Sequence, residues 1–342
     1  MSTHNAFLFI KPHAAASDPV ETLVTEMLKS AGVSITSQGV LGANEIDERR
    51  LIDVHYGAIA NRAVLKEPSE LNVPESAQEK FETAFGLKWA EALDQGLVFN
   101  ATGASQKLSL DGAGLELVWR AIPANELVKF GGGFYCGKLK DGDGNAFYAI
   151  NCFYLNMRAD FTTPPAQIRW FAVEFPTTIP WADFRGKILG ATDPTKAVDG
   201  SIRNAIYNQW ESLELSAQPS TGCNGVHASA SPIEGLFERM NWLGADVSTD
   251  VYGSAMVEAG VPVEVIKEWS NDPAVAFEDG KFSLFDLHED LDYDTCLAKS
   301  VAVYANNCPS SPVEPIAPGS PGGSGLKAAR ALGDGAAESA AE

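Results

Sequence analysis

A histidine set just ahead of a helix, with cationic and hydroxyl side chains upstream and a carboxylate downstream, is equipped for transient phosphorylation of its imidazole. Residues 187–244 hold such a set, with KILGATDPTKAVDGSIR, NGVHASAS and PIEGLFERMNWLG following one another along the chain. His227 is the candidate nucleophile; Thr192 and Arg203 precede it and Glu238 follows it. Moving a terminal phosphoryl group requires charge neutralisation on the equatorial oxygens and a nucleophile in line with the leaving group. Neutral imidazole supplies that nucleophile. With an unperturbed pKa of about 6.5 it is largely unprotonated at cellular pH, and a carboxylate such as Glu238 can fix the tautomer so that the attacking nitrogen keeps its lone pair. A phosphate-cradling glycine loop is not the device used, because Gly131-Gly132-Gly133 is not followed by Lys-Ser or Lys-Thr.

The elements that must position these groups are legible in outline. Ala6 to Ile10 is a continuous apolar run that suits a central strand and stops at Lys11-Pro12, delivering Lys11 to the strand end. Ser17 and Asp18 before Pro19 start a helix, with Val20, Leu23, Val24, Met27 and Leu28 at helical spacing up to Gly32. Residues 33–41 read as a second strand and the run from Glu45 as one helix with Leu51, Ile52 and Tyr56 on its apolar face. From Pro74 a further amphipathic helix carries Phe81, Phe85, Leu87 and Trp89 and ends at Gly96.

Residues 97–165 are rich in glycine and aromatic residues and alternate around a DGDG turn, which predicts a β-rich insertion containing a hairpin. The same DGDG run is not a calcium loop, since Cys152 and Ala146 stand where that loop needs glutamate and glycine. Ile168 to Phe175 alternates as a core strand, residues 181–190 suit a short helix, and Val226 to Ser229 a short strand. Ser231-Pro232-Ile233-Glu234 has the form of a complete capping box. Further on, a helix is predicted near Pro262 to Trp269. The acidic series Asp286, Glu289, Asp290, Asp292 and Asp294 interleaves with leucines as a solvated helix face would. From Pro309 the chain is rich in Pro, Ser and Gly and is expected to be disordered.

Composition narrows the partners. With 45 acidic against 25 basic residues and a formal charge of -20, the chain lacks the basic footprint of a nucleic-acid binder, so phosphate must be held by a local site. No apolar run is long enough for a bilayer, which excludes a membrane partner, and the expected location is cytoplasmic. The 5 cysteines are scattered and never form a CxxC pair, so neither a disulfide framework nor a zinc site is indicated.

On these residues the chain resembles the nucleoside diphosphate kinases, which move a γ-phosphate between nucleotides through a phosphohistidine. FLFIKP resembles the family's first strand with its lysine, VHY its active-site tyrosine, LGATDP with GSIR its nucleotide loop, and N-x-x-H-x-S with a later glutamate its active-site signature. The resemblance implies an α+β fold, a ferredoxin-like βαββαβ antiparallel sheet with helices on one side. It implies that Lys11 contacts ribose and terminal phosphate, that Tyr56 borders the histidine, and that Thr192 and Arg203 bind phosphates. Asn224 would hold the sugar, His227 take the phosphoryl group, and Ser229 and Glu238 support and orient the ring. Mg²⁺ carried mainly by the nucleotide phosphates is the implied cofactor, nucleoside di- and triphosphates are the implied ligands, and a homo-oligomer is the implied assembly.

The chain also departs from the family pattern. The second phosphate arginine falls at Gly186, whose neighbours Arg185 and Lys187 are the basic groups here, so either a one-residue shift, with Arg185 as the candidate, or a loss of that arginine is expected. His13-Ala14 replaces the usual Asp-Gly, a variant resembling the divergent, often cilium-associated branch. These departures leave a second expectation open, a catalytically weak or inactive nucleotide-binding scaffold such as an axonemal component. The expected organisation is a discontinuous kinase-like domain of residues 4–96 and 166–245. The insertion over 97–165, a C-terminal extension over 246–308 and a tail over 309–342 complete it.

Overall fold

The computed structural model describes residues 3–308, so the tail expected over 309–342 lies outside the described residues. Its strands are β1 (Thr3–Ile10), β2 (Ser34–Gly42), β3 (Val98–Phe99), β4 (Leu127–Gly131), β5 (Phe134–Lys140), β6 (Ala146–Ile150), β7 (Gln167–Pro176), β8 (Val226–Ala228), β9 (Ala274–Phe277) and β10 (Gly280–Ser283). The described residues form two compact units, residues 3–45 with 164–308 and residues 46–163. This grouping differs from the expected organisation. Residues 46–96 pack with the insertion, and residues 246–308 belong with the unit that carries the histidine.

The first unit is built on an antiparallel sheet in the order β2-β7-β1-β8. Strand alternation sends Ala6, Leu8 and Ile10 of β1 to one face, where they join Val173 and Phe175 of β7, Val20, Val24 and Leu28 of the Asp18–Ser30 helix, and Ile202 and Ile206 of the Ile202–Gln209 helix. Each of the fully buried Val, Leu, Ile and Phe side chains contributes roughly 1.5–3 kcal/mol. Ser17 starts the first helix as predicted, its hydroxyl accepting from Val20 N at 3.2 Å.

Phe7 and Phe9 leave β1 on the opposite face and pack on Trp242 of the Pro232–Leu243 helix, with ring centroids 6.0 and 5.5 Å apart. That helix crosses β1 at Gly235, where a Cβ would lie 2.8 Å from the Asn5 carbonyl oxygen. Helices therefore cover both faces of the sheet, not one. The second cover exists because Ile233, Leu236 and Phe237 join Tyr252, Met256, Ile266 and Val303 of the C-terminal residues in one core, so the helix is buried over most of its surface, Glu238 and Arg239 included.

The second unit is a mixed α/β assembly in which β3 pairs parallel with β6, and β6, β5 and β4 run antiparallel. The hairpin predicted around DGDG forms, joining β5 to β6. The stretch is less β-rich than expected, because helices Ala101–Leu108, Gly112–Arg120 and Tyr154–Thr162 accompany the sheet. The first two start at Asn100 and Asp111, whose side chains each accept an amide N–H at 2.8 Å. Neither predicted long helix is continuous. Arg50 at φ 53° separates Ala43–Glu48 from Leu51–His55, and Gly86 at φ 68° separates Glu75–Phe85 from Trp89–Asp94. A left-handed residue cannot carry the helical hydrogen-bond ladder onward.

Candidate active site

His227 sits on β8 opposite Phe9 in the β1–β8 register, and the two rings stack at 4.8 Å. Period-two alternation places Ser229 on the same side as His227, and both side chains meet Glu238 of the Pro232–Leu243 helix. His227 Nε2 lies 2.5 Å from Glu238 Oε1, and the Ser229 hydroxyl donates to Glu238 Oε2 at 2.5 Å. Ser229 is itself set by β1, its Oγ accepting from Phe7 N at 2.9 Å and its own N–H donating to Phe7 O at 3.0 Å. A carboxylate accepts on both oxygens here, so the neutral ring carries its proton on Nε2 and its lone pair on Nδ1. Burial first, and then the charges of Lys11, Arg203 and Arg185, hold the imidazole well below its ordinary pKa, which keeps it neutral.

The loop ahead of β8 is stapled to the end of β1. Lys11 N–H donates to Gly225 O at 2.9 Å, Lys11 Nζ to Gly222 O at 3.3 Å, and Gly225 N–H to His13 Nε2 at 3.0 Å. Burial, then the Lys11 charge, hold His13 down at about 4, so its Nε2 stays an acceptor. Gly225 is required on two counts: its φ is 89°, and a Cβ would lie 2.7 Å from Ile206 Cδ1. Gly225→Ala is therefore expected to destabilise the protein by about 1–3 kcal/mol, read as a lower urea midpoint at unchanged slope.

Arg203, 8% exposed, donates through Nη1 to Gly190 O at 2.8 Å and through Nη2 to Val226 O at 3.0 Å. It thereby ties the nucleotide-loop candidate to β8. Asn224 Nδ2 donates to the Thr192 carbonyl at 2.9 Å, while Asn224 Oδ1 is buried with no hydrogen-bond partner among the described residues. Lys11 is pushed down to about 7 by burial and next by the Arg203 charge. Two cations that disfavour each other are an arrangement that an anion between them stabilises.

The structure thus brings together Lys11, Thr192, Arg203, Asn224, His227, Ser229 and Glu238. Two other expected residues have different surroundings. Tyr56 belongs to the second unit, at the bend between Leu51–His55 and Gly57–Ala60, where it packs edge-on against Phe161. Arg185, on the Phe184–Leu189 turn that packs against β8, donates through Nη1 to Glu289 at 2.8 Å and Asp290 at 2.6 Å. The acidic series is a solvated face only in part: Asp286, Asp290 and Asp294 are exposed, but Glu289 and Asp290 also pair with Arg185, and Asp292 accepts from Trp181 N at 2.7 Å.

Phe9, His13 and Glu234 also belong to this site, and the first two carry no sequence signal that names them as such. Glu234 was legible only as half of a capping box. Ser231 Oγ does accept from Glu234 N at 3.2 Å, but the Glu234 carboxyl takes the backbone of Ala230, so the box is not reciprocal. Its signal was the spacing of four residues to Glu238, which puts two carboxyls on one helix face. Burial first, then the Glu238 charge, push Glu234 up to about 8, with Arg185 opposing and Glu289 adding to the rise.

The folded protein therefore holds a proton that the unfolded chain releases at its ordinary value of 4.5. The stability this carboxyl supplies is present below 4.5 and lost as pH rises through about 8. Glu234→Gln removes that dependence, so its urea midpoint should gain on the wild type as pH rises across this window; a constant difference would refute the assignment.

Neither a family model nor a curated protein matches the chain. In fold it is similar to solved nucleoside diphosphate kinases. For the apo enzyme from Encephalitozoon cuniculi the identity is 14%, over 71% of this chain and 90% of that one, with a TM-score of 0.31. For the enzyme from Pyrobaculum aerophilum the values are 18%, 70%, 96% and 0.33. For the enzyme from Borrelia burgdorferi with bound vanadate and ADP they are 16%, 70%, 86% and 0.30. No helix among the described residues is long and apolar enough to cross a membrane.

Proposed function

We propose that this chain transfers the γ-phosphate of a nucleoside triphosphate to a nucleoside diphosphate by a ping-pong route through phospho-His227. The observation that carries the reading is the His227–Glu238–Ser229 chain, in which Nε2 is held at 2.5 Å, Nδ1 is the lone-pair nitrogen, and the charges of Lys11 and Arg203 act on the ring. In the first half-reaction Nδ1 forms a bond to the γ-phosphorus as the bridging oxygen bond breaks, and the nucleoside diphosphate departs with that electron pair. In the second, a terminal oxygen of the acceptor diphosphate attacks the phosphorus and the neutral imidazole is restored. Glu238 offsets the positive charge that the ring acquires while phosphorylated.

Lys11, Arg203 and the Thr192 hydroxyl are the phosphate contacts in this reading, and the buried Asn224 Oδ1 is suited to accept from a ribose hydroxyl. The strand order β2-β7-β1-β8, with helices after β1 and β7, supports the ferredoxin-like reading. The charged donors acting on His227 include Lys11, Arg203 and Arg185, which suits nucleotide phosphates that bring their own cation. Mg²⁺ bound to the phosphates would neutralise their charge.

Incubation with γ-labelled ATP and Mg²⁺ tests the reading. The expected product is an acid-labile, base-stable protein label that is chased off by a nucleoside diphosphate. Folded protein that binds nucleotide without acquiring such a label would instead be a binding scaffold.

A further inference from the structure

Residues 288–292 touch the framework of the site at several points. Asp290 N–H donates to Ala230 O at 3.0 Å, directly after Ser229. Asp292 accepts from Trp181 N at 2.7 Å, just ahead of the turn that carries Arg185, and approaches His4 Nε2 of β1 at 3.4 Å. His288 anchors the segment from behind: it is fully buried, with Nδ1 2.7 Å from Leu284 O and Nε2 3.2 Å from Ser300 Oγ. Asp290 has φ 59°, a left-handed conformation that a non-glycine residue keeps only where its surroundings enforce it. Here the backbone bond to Ala230 and the carboxylate bond to Arg185 enforce it together.

Glu289 and Asp290 both engage the same nitrogen of Arg185, Nη1, at 2.8 and 2.6 Å. The Nε and Nη2 edge has no partner among the described residues, and such an edge matches a phosphate oxygen pair. The Phe184–Leu189 turn packs against β8 and ends at Gly190, whose carbonyl holds Arg203. Arg185 also belongs to the set of charges that lowers the His227 pKa.

Resting on the phosphotransfer reading, we infer that Glu289 and Asp290 are positioning residues: they grip Arg185 by Nη1 and present its remaining edge to the phosphate groups of the nucleotide. The C-terminal segment is then a working part of the site, and the arginine absent at Gly186 is replaced by Arg185 held from outside the sheet. Orientation matters because a long, mobile guanidinium loses rotamer freedom on binding, and ordering it beforehand removes that cost.

The test is a double-mutant cycle on the full chain. Glu289→Gln with Asp290→Asn, Arg185→Ala, and all three together are compared with wild type by calorimetric titration of ADP with Mg²⁺ and by the acid-labile label. The double amide variant is expected to bind ADP about tenfold more weakly and to raise KM for the triphosphate more than it lowers kcat. In the Arg185→Ala background the same two changes should have no further effect. A purely structural role would give losses that persist in that background. Asp290→Asn alone, which leaves the backbone bond to Ala230, serves if the double variant does not fold. Unchanged or tighter ADP binding in a folded amide variant overturns the inference, the latter by showing that the carboxylates quench Arg185. A wild type that binds ADP but never acquires the label defeats the phosphotransfer reading alone. A wild type that binds no ADP defeats both.

Discussion

His227→Ala should take up no acid-labile label, and nucleotide exchange should fall by more than about 10³-fold, the scale seen when a covalent nucleophile is removed. Neither Ser229 nor His13 can substitute. Ser229 donates its hydroxyl proton to Glu238, and His13 uses its acceptor nitrogen on Gly225 N–H. The fold is expected to survive with a lower melting temperature, since the variant loses the ring stacked on Phe9 at 4.8 Å and removes a donor from Glu238, which is 5% exposed. Nucleotide affinity should change little, because Lys11, Arg203 and Asn224 hold the ligand in this mechanism. Labelled exchange read beside calorimetric affinity makes the distinction; a variant that still labels at the wild-type rate would move the nucleophile elsewhere.

Glu238→Gln is expected to lower turnover by roughly 10²–10⁴-fold, by analogy with the loss when the carboxylate orienting a catalytic histidine becomes an amide. Glu238 accepts from His227 Nε2 on one oxygen and from Ser229 on the other. An amide accepts on one side only. If its oxygen faces His227, the amide nitrogen donates to Ser229 Oγ, whose own O–H must turn from residue 238 to Phe7 O at 3.1 Å. If its nitrogen faces His227, the imidazole proton moves to Nδ1 and the attacking lone pair is lost. In both orientations the negative charge that offsets the phospho-imidazole disappears. Binding of ADP should be nearly unchanged while kcat collapses; a loss confined to KM would mean that Glu238 serves binding and not the ring.

Much of the first unit could be read locally. The Ala6 to Ile10 run, the Ser17 start and the alternation at Ile168 to Phe175 each report a short-range preference, and each became the element expected. The misreadings occurred where a single residue's conformation overrode periodicity. Arg50 at φ 53° interrupts an otherwise helical pattern, and nothing in an arginine announces a left-handed backbone. Asn100 and Asp111 turned a glycine-rich stretch into helices by capping them, a signal weaker than the alternation around it.

The candidate site divides in the same way. Residue identity and order, Lys11 at a strand end and Asn-x-x-His-x-Ser before a capped helix with a later glutamate, were determined by sequence alone. Such local patterns follow from bonding between residues a few positions apart. Folding in three dimensions sets who faces whom: Phe9 beneath the imidazole, His13 on the Gly225 amide, Glu234 protonated beside Glu238, and Glu289 and Asp290 on Arg185. Those pairings join residues far apart in the chain. Sheet register, the crossing of the Pro232–Leu243 helix over β1 and the shared burial of charge set them, and all three exist only once the chain has folded.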